Sequence, residues 1–573
     1  MRMNKGVIIL STIAILGLVG CGSSASTESI TTTTNSSGTE TVVAGVSVEV
    51  MDASSDNYKV LKLDKDTKLQ VKLGSEEKDV YVLFSNPNSA TQSATVTHNQ
   101  KKVDIVKFAK KEQASYQAQH YYKHAPSFVQ SFNNQVLDFK NYKKEDVNLK
   151  KVYNKISDKP NDTQVFYMDV NSKATPVSAT ARKVLSNINT SMGTKSLTIW
   201  VEDDSYEGSG CSKVHCVNDV MVDTLANKFL KEGLNNDIYD WVTTVFGEEW
   251  GTSASGPLIE PSDHISILLT DVAQDNSDNG GVIGYFHSKN NFTKSIYPDS
   301  NERIMFYIDS VMYANSTSNS WNENDFWAQQ VFSTLAHEFQ HMIFFYQKNI
   351  KQNLQGTDTW INEMLSESTE DLVAVKLNTD GPRNVTASRG DAGDKNNYNG
   401  RYPLFNKNNT LSLASWDNSL EDYSTVSSFG AYIQRNYGGA QILHDIVHSK
   451  LINKEALMDA VHKQSNGASK TFDDLIHEWG VAVLLSKRDD VSSDSGYLYN
   501  AGDFISSEYN GINYNLGSIN FFNYTPSPTM HTTMGQISPK SNYYYKVGEN
   551  LTGDIDVDIV DTTGLNVSVV VVK

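Results

Sequence analysis

Residues 333–345 read STLAHEFQHMIFF, and three ionisable side chains, His337, Glu338 and His341, stand in a run otherwise dominated by apolar residues. Val331, Phe332, Leu335, Phe339, Met342, Ile343 and Phe344 cover most of a helical cylinder, so the run predicts a largely buried helix. Burying a polar group without a partner costs roughly 1–3 kcal/mol, and a charge costs more. The fold must therefore bring compensating groups or a cation to this helix. His337 and His341 are four residues apart and share one face, the spacing that two ligands of a tetrahedral zinc ion require. Glu338 sits beside the first histidine, where it can reach a water on the ion instead of the ion itself. H-E-x-x-H thus combines a ligand pair with a general base.

The motif alone is only moderately specific, and its support comes from the next helical stretch, TWINEMLSESTEDL at 359–372. Ile361, Met364, Leu365 and Leu372 form an apolar stripe there, while Glu363 and Glu367 share another face. With Glu363 as third ligand the set becomes His2Glu, which leaves a fourth position open as a catalytic zinc requires. Glu367 is then placed to accept the second ring N–H of a ligand histidine.

His337-Glu338-Phe339-Gln340-His341, followed by Trp360-Ile361-Asn362-Glu363 and Glu367, resembles the gluzincin zinc peptidases and, more closely, the hyicolysin family of neutral metallopeptidases. SLTIWVED, IYDWVTTVFGEEWG, GGVIGYFH, SNERIMFYID and SSFGAYIQRNYGG resemble family segments in the same order, so the likeness spans about 160–540. The resemblance implies a gluzincin-like catalytic domain, with a mixed sheet above a cleft, the H-E-x-x-H helix at its floor and a helical lower lobe. It implies His337, His341 and Glu363 as zinc ligands, Glu338 as general base, and a protein or peptide as substrate. Glu367 stands where related sites often carry aspartate. The family draws an oxyanion donor from a downstream tyrosine or histidine; Tyr432 is the first candidate and Tyr423 the second.

The remaining sequence suggests an α+β chain with small β-domains at its flanks. Residues 42–100 alternate, as in LQVKL, which predicts a β-sandwich; 101–160 look like a connector, 161–495 like the catalytic domain, and 496–573 like a C-terminal β-domain. Residues 42–160 could serve as prodomain, spacer or ligand-binding module. HISILLT at 264–270 reads as a strand buried on both faces. ERIMFYID at 302–309 is either an edge that pairs with an extended peptide or an interior strand.

At the N-terminus, Arg2 and Lys5 precede an apolar run from Val7 to Val19, too short for a span of roughly 20 residues. Leu18-Val19-Gly20-Cys21 resembles a bacterial lipobox, which implies a signal peptide over 1–20, lipidation at Cys21, a Ser/Thr-rich tether over 21–41 and an extracytoplasmic, membrane-anchored protein. Cys211 and Cys216 are then expected to form a local disulfide, since a zinc site with His215 lacks a fourth ligand nearby. A net charge of −18 disfavours nucleic acid as a partner.

Two weaker patterns compete for metal. Asp275, Ser277, Asn279 and Gly280 open like a calcium loop, but Phe286 stands where its glutamate belongs, so an acidic turn competes with a Ca2+ site there. His444 and His448 repeat the four-residue spacing without a glutamate-bearing helix behind them, and an amphipathic helix accounts for them. The competing functional class is a surface adhesin that keeps a non-catalytic peptidase-like domain, against which the retained Glu338 argues.

Overall fold

The computed structural model describes residues 48–99, 122–123, 125–137, 156–253, 256–316, 320–383, 392–394, 400–501 and 504–573. The signal peptide, Cys21 and the tether lie outside them. The described chain combines helices and sheets in an α+β arrangement.

Its central sheet has six strands in the order Gly284–Phe286, Ile304–Asp309, His264–Thr270, Gly193–Glu202, Lys173–Thr190, Thr163–Val170. The middle three run parallel and the outer ones antiparallel. All seven residues of His264–Thr270 are buried, as a strand flanked by two parallel neighbours and covered on both faces requires. Leu197, Ile199, Ile265, Ile267, Phe306 and Ile308 pack toward the helices, and Trp200, Leu268, Met305 and Tyr307 form a second core on the other face. Of the two readings of Ile304–Asp309 the interior strand holds, and the edge of the sheet on that side is Gly284–Phe286.

Two long helices, Phe326–Phe344 and Thr359–Leu377, carry the motif and its downstream glutamates. The helix Leu420–Asn436 packs on the second of them.

Both ends of the described chain meet in one β-sandwich, not in two separate β-domains as expected. One sheet runs Glu49–Asp52, Thr67–Lys72, Asp554–Val560, Thr95–His98; the other runs Ser541–Leu551, Lys78–Asn86, Asn566–Val572, Tyr58–Leu63. Alternation shows which strand face is buried, but not which distant strand satisfies its hydrogen bonds. The hairpin of Phe504–Tyr509 and Ile512–Gly517, assigned by sequence to the C-terminal β-domain, packs on the helices, where the Tyr514 hydroxyl donates to Trp241 O at 2.8 Å.

The expected connector also contributes structure. Its helix Ser127–Asn133 buries Val129, and the backbone of Tyr122–Lys123 pairs with Gly281–Val282. Cys211 and Cys216 are joined in a disulfide, while His215 faces Asp278 at 3.2 Å.

Candidate metal centre

The helix Phe326–Phe344 presents His337 and His341 on one face, with Leu335, Phe339 and Met342 holding it in the core. The following helix brings Glu363 to the same point. His337 Nε2 lies 3.1 Å from His341 Nε2 and 3.2 Å from Glu363 Oε2, and His341 Nε2 lies 3.4 Å from that oxygen. Tetrahedral bonds of about 2.0–2.1 Å would set ligand atoms about 3.3 Å apart. These three atoms fit a tetrahedral metal.

The opposite ring nitrogens are held from behind. His337 Nδ1 donates to Glu370 Oε1 at 2.8 Å, and Ser333 donates its hydroxyl to the other Glu370 oxygen. His341 Nδ1 lies 3.2 Å from Asn362 Oδ1 and 3.1 Å from Ser366 Oγ. Both Nε2 lone pairs are thereby directed to the shared point. The carboxylate on His337 is Glu370, not the expected Glu367. Glu367 lies in the same cluster, but Arg401 engages it, with Nε at 2.9 and 3.1 Å from its two oxygens. Among the described residues, the acidic and imidazole groups close enough to share an ion are these: His337 with His341 and Glu363, and His337 with Glu367 and Glu370.

Electrostatics argue for a cation at the same point. Burial pulls the His337 imidazole down, but hydrogen bonds to Glu363 and Glu370 outweigh it and hold it up at about 10. Glu363 is also opposed by burial, yet His341 and His337 keep its carboxyl well below the usual range. So many buried carboxylates demand positive charge, which a divalent ion supplies more fully than one imidazolium.

Glu338 is positioned from the sheet. Its Oε2 accepts from the Phe286 backbone N–H at 2.7 Å, and burial pushes its carboxyl up to about 7 against the pull of both histidines. Gly284 permits this approach: a Cβ there would stand 2.8 Å from Tyr307 O and 3.1 Å from Thr334 on the motif helix. The edge strand can therefore lie directly on that helix.

Tyr432 is not at this centre. Its hydroxyl lies 3.4 Å from Glu478 and 3.5 Å from the Tyr437 hydroxyl, on the far side of its helix. Tyr423 precedes it by nine residues, two and a half helical turns, and so occupies the opposite face. The Tyr423 hydroxyl accepts from Gln130 Nε2 at 2.7 Å, and the same nitrogen donates to Glu363 Oε1 at 2.8 Å. The second tyrosine candidate is thus the one beside the ligands.

The weaker patterns have other partners. His444 Nδ1 lies 2.8 Å from Val245 O and His448 Nε2 3.1 Å from Phe246 O, so both tie their helix to Ile238–Phe246. Asp275 accepts from Ser277 N at 3.0 Å, within its own turn.

Residues 176–503 match the family model of peptidase M30. The chain belongs to the peptidase M30 family. A curated member-like relative, the neutral metalloprotease ShpI of Staphylococcus hyicus, is 26% identical over 330 residues, covering 53% of this chain and 67% of the relative. The M30 match contains both long helices, the edge strand and Tyr423, so the metal-binding geometry lies within a metallopeptidase domain.

The roles of four residues were not read from the sequence: Glu370, Asn362, Ser366 and Gln130. Glu370 had a signal, because it stands seven residues after Glu363 and completes the stripe Glu363, Glu367, Glu370 on one helical face. Gln130 had none, since it arrives from another part of the chain.

Proposed function

We propose that this M30 peptidase is a zinc-dependent endopeptidase that hydrolyses protein chains outside the cytoplasm, held at the cell envelope by a lipid on Cys21. The observation that carries the catalytic part is the convergence of His337, His341 and Glu363 beside a general base fixed by the Phe286 amide. A zinc ion held by those three residues would polarise the scissile carbonyl and acidify water. Glu338 then takes the proton from the attacking water and delivers it to the leaving amine. Its position near neutrality suits both transfers. Tyr423 is the donor we assign to the developing oxyanion. The outward edge of Gly284–Phe286 suits an extended substrate backbone, which would favour chain over side-chain recognition. The N-terminal lipobox resemblance supports the anchor, and mass spectrometry of the processed N-terminus tests it.

Glu338→Gln keeps an oxygen for the Phe286 amide but removes the proton acceptor. The expected result is retained zinc by metal analysis, unchanged thermal stability, and casein hydrolysis reduced by about 100-fold or more. Equal hydrolysis by parent and variant would overturn the mechanism.

A further inference from the structure

The three converging side chains and the base beside them are closed off. His337 and Glu338 are 0% exposed, Glu363 2% and His341 7%, although an endopeptidase must admit an extended chain to that point. Part of the cover comes from the helix Ser127–Asn133 and the residues around it.

This segment straddles the edge strand. Val129 and Ala125 enter the core on the outer sheet face, while Leu137 enters the larger core. Gln130 reaches between them to the centre, where its amide nitrogen donates to both Glu363 Oε1 and Tyr423, and its oxygen accepts from Trp416 Nε1 at 3.2 Å. The polar groups needed for catalysis are thus already engaged. Asn133 takes the sheet edge: its Nδ2 donates to Phe286 O and its Oδ1 accepts from Ser288 N, both at 2.8 Å. Bonding an acceptor and a donor two residues apart imitates a parallel strand. Phe286 O at the end of the edge strand and Ser288 N just beyond it are thus filled by a side chain of the same protein.

We propose that residues 125–137 are an inhibitor built into the chain, a plug that covers the metal ligands and the peptide-binding edge and must be displaced before a substrate enters. The proposal rests on the peptidase reading of the site. The plug is anchored by Ala125, Val129 and Leu137 in the two cores and by Phe132, whose ring stands edge-on to His287 and Tyr297. The contacts of Gln130 and Asn133 are ones that a substrate backbone or a bound ion can replace, whereas Asn134 Nδ2 to Thr359 Oγ1 at 3.0 Å and Asn418 Nδ2 to Ser127 Oγ at 2.9 Å tie the segment down beside the site. Closed chains bind no substrate, so kcat/KM scales with the open fraction.

The test uses the full-length, zinc-loaded protein with Gln130→Ala and Asn133→Ala, each also made in the Glu338→Gln background. Casein hydrolysis, zinc loss to excess chromogenic chelator, and hydrogen exchange at the Ser288 amide are measured, with thermal unfolding as the check on folding. Both variants are expected to raise kcat/KM by about tenfold or more. Zinc loss should quicken by a similar factor in either background, and Asn133→Ala should deprotect Ser288. Unchanged zinc loss and exchange would overturn the plug. So would a fall in kcat/KM with zinc content and stability intact, because the helix would then be a wall of the working cleft. If parent and variants all leave casein uncut while zinc loss and exchange still quicken, the cover stands and the peptidase reading falls.

Discussion

Glu367 and Glu370 stand less than one helical turn apart on a buried helix, yet they take different partners. Glu370 holds His337 Nδ1 while Glu367 is engaged by Arg401, whose neighbourhood does not prevent burial from pushing Glu367 up to about 7. Glu370→Gln would retain size and one acceptor but remove the charge that orients the ligand histidine. Zinc affinity, measured by competition with a chromogenic chelator, should fall about 10- to 100-fold. The two tyrosines give a sharper contrast. Tyr423→Phe should lower kcat by about 100-fold with zinc bound and KM little changed, as expected for a lost oxyanion donor. Tyr432→Phe should leave kcat unchanged, because its hydroxyl faces Glu478. His337 and His341 were legible as a pair because four-residue spacing on a helix is a local property. Which tyrosine meets them was not, because both lie in one helical run, and only its packing reveals which face turns inward.

Helix and strand boundaries followed periodicity where the elements are long. Phe326–Phe344 and His264–Thr270 were legible as a buried helix and a doubly covered strand, but Gly284–Phe286 is three residues long and too short to display alternation. Alternation therefore could not decide whether its longer neighbour is an edge or an interior strand. Packing between helices depends on features equally hidden from periodicity. Gly430 lets Leu420–Asn436 approach Thr359–Leu377; a Cβ there would meet the Ser368 hydroxyl and stand 3.2 Å from Met364 O. Gly430→Ala must turn the Ser368 hydroxyl aside and shift the helices by a few tenths of an ångström, at a cost of about 1–3 kcal/mol. One helix carries Glu363 and the other Tyr423, so the displacement should reach the centre. A lower unfolding temperature together with reduced kcat is the expected outcome, whereas lost stability with full kcat would show that the helices move as one.

At the scale of the whole molecule, the sandwich made from both ends of the described chain docks on the helix Phe472–Leu485 through a buried histidine. Ser85 donates to Asn542 Oδ1, so its oxygen is left to accept from His477 Nδ1 at 2.8 Å, and Ser568 meets Nε2 at 2.7 Å. Strands distant in sequence thus converge on one ring, an arrangement that no local pattern in FDDLIHEWG announces. Burial, assisted by Lys62 and opposed by Asp474, pulls His477 down to about 3 from its ordinary 6.5. The sign follows from proton counting. Between those values the unfolded chain binds a proton that the folded chain refuses, so stability falls as pH drops through the window. The slope from this one group is at most about 1.4 kcal/mol per pH unit. Above 6.5 the ring is neutral in both states and contributes no slope. His477→Gln removes the titration while retaining a polar side chain between the two serines. Thermal unfolding from pH 7 to pH 4 should therefore show a lower midpoint for the variant at pH 7 but a shallower decline toward pH 4 than the parent. Parallel declines would place the acid sensitivity elsewhere; converging curves would identify the sandwich contact as a point where falling pH loosens the joined ends of the chain.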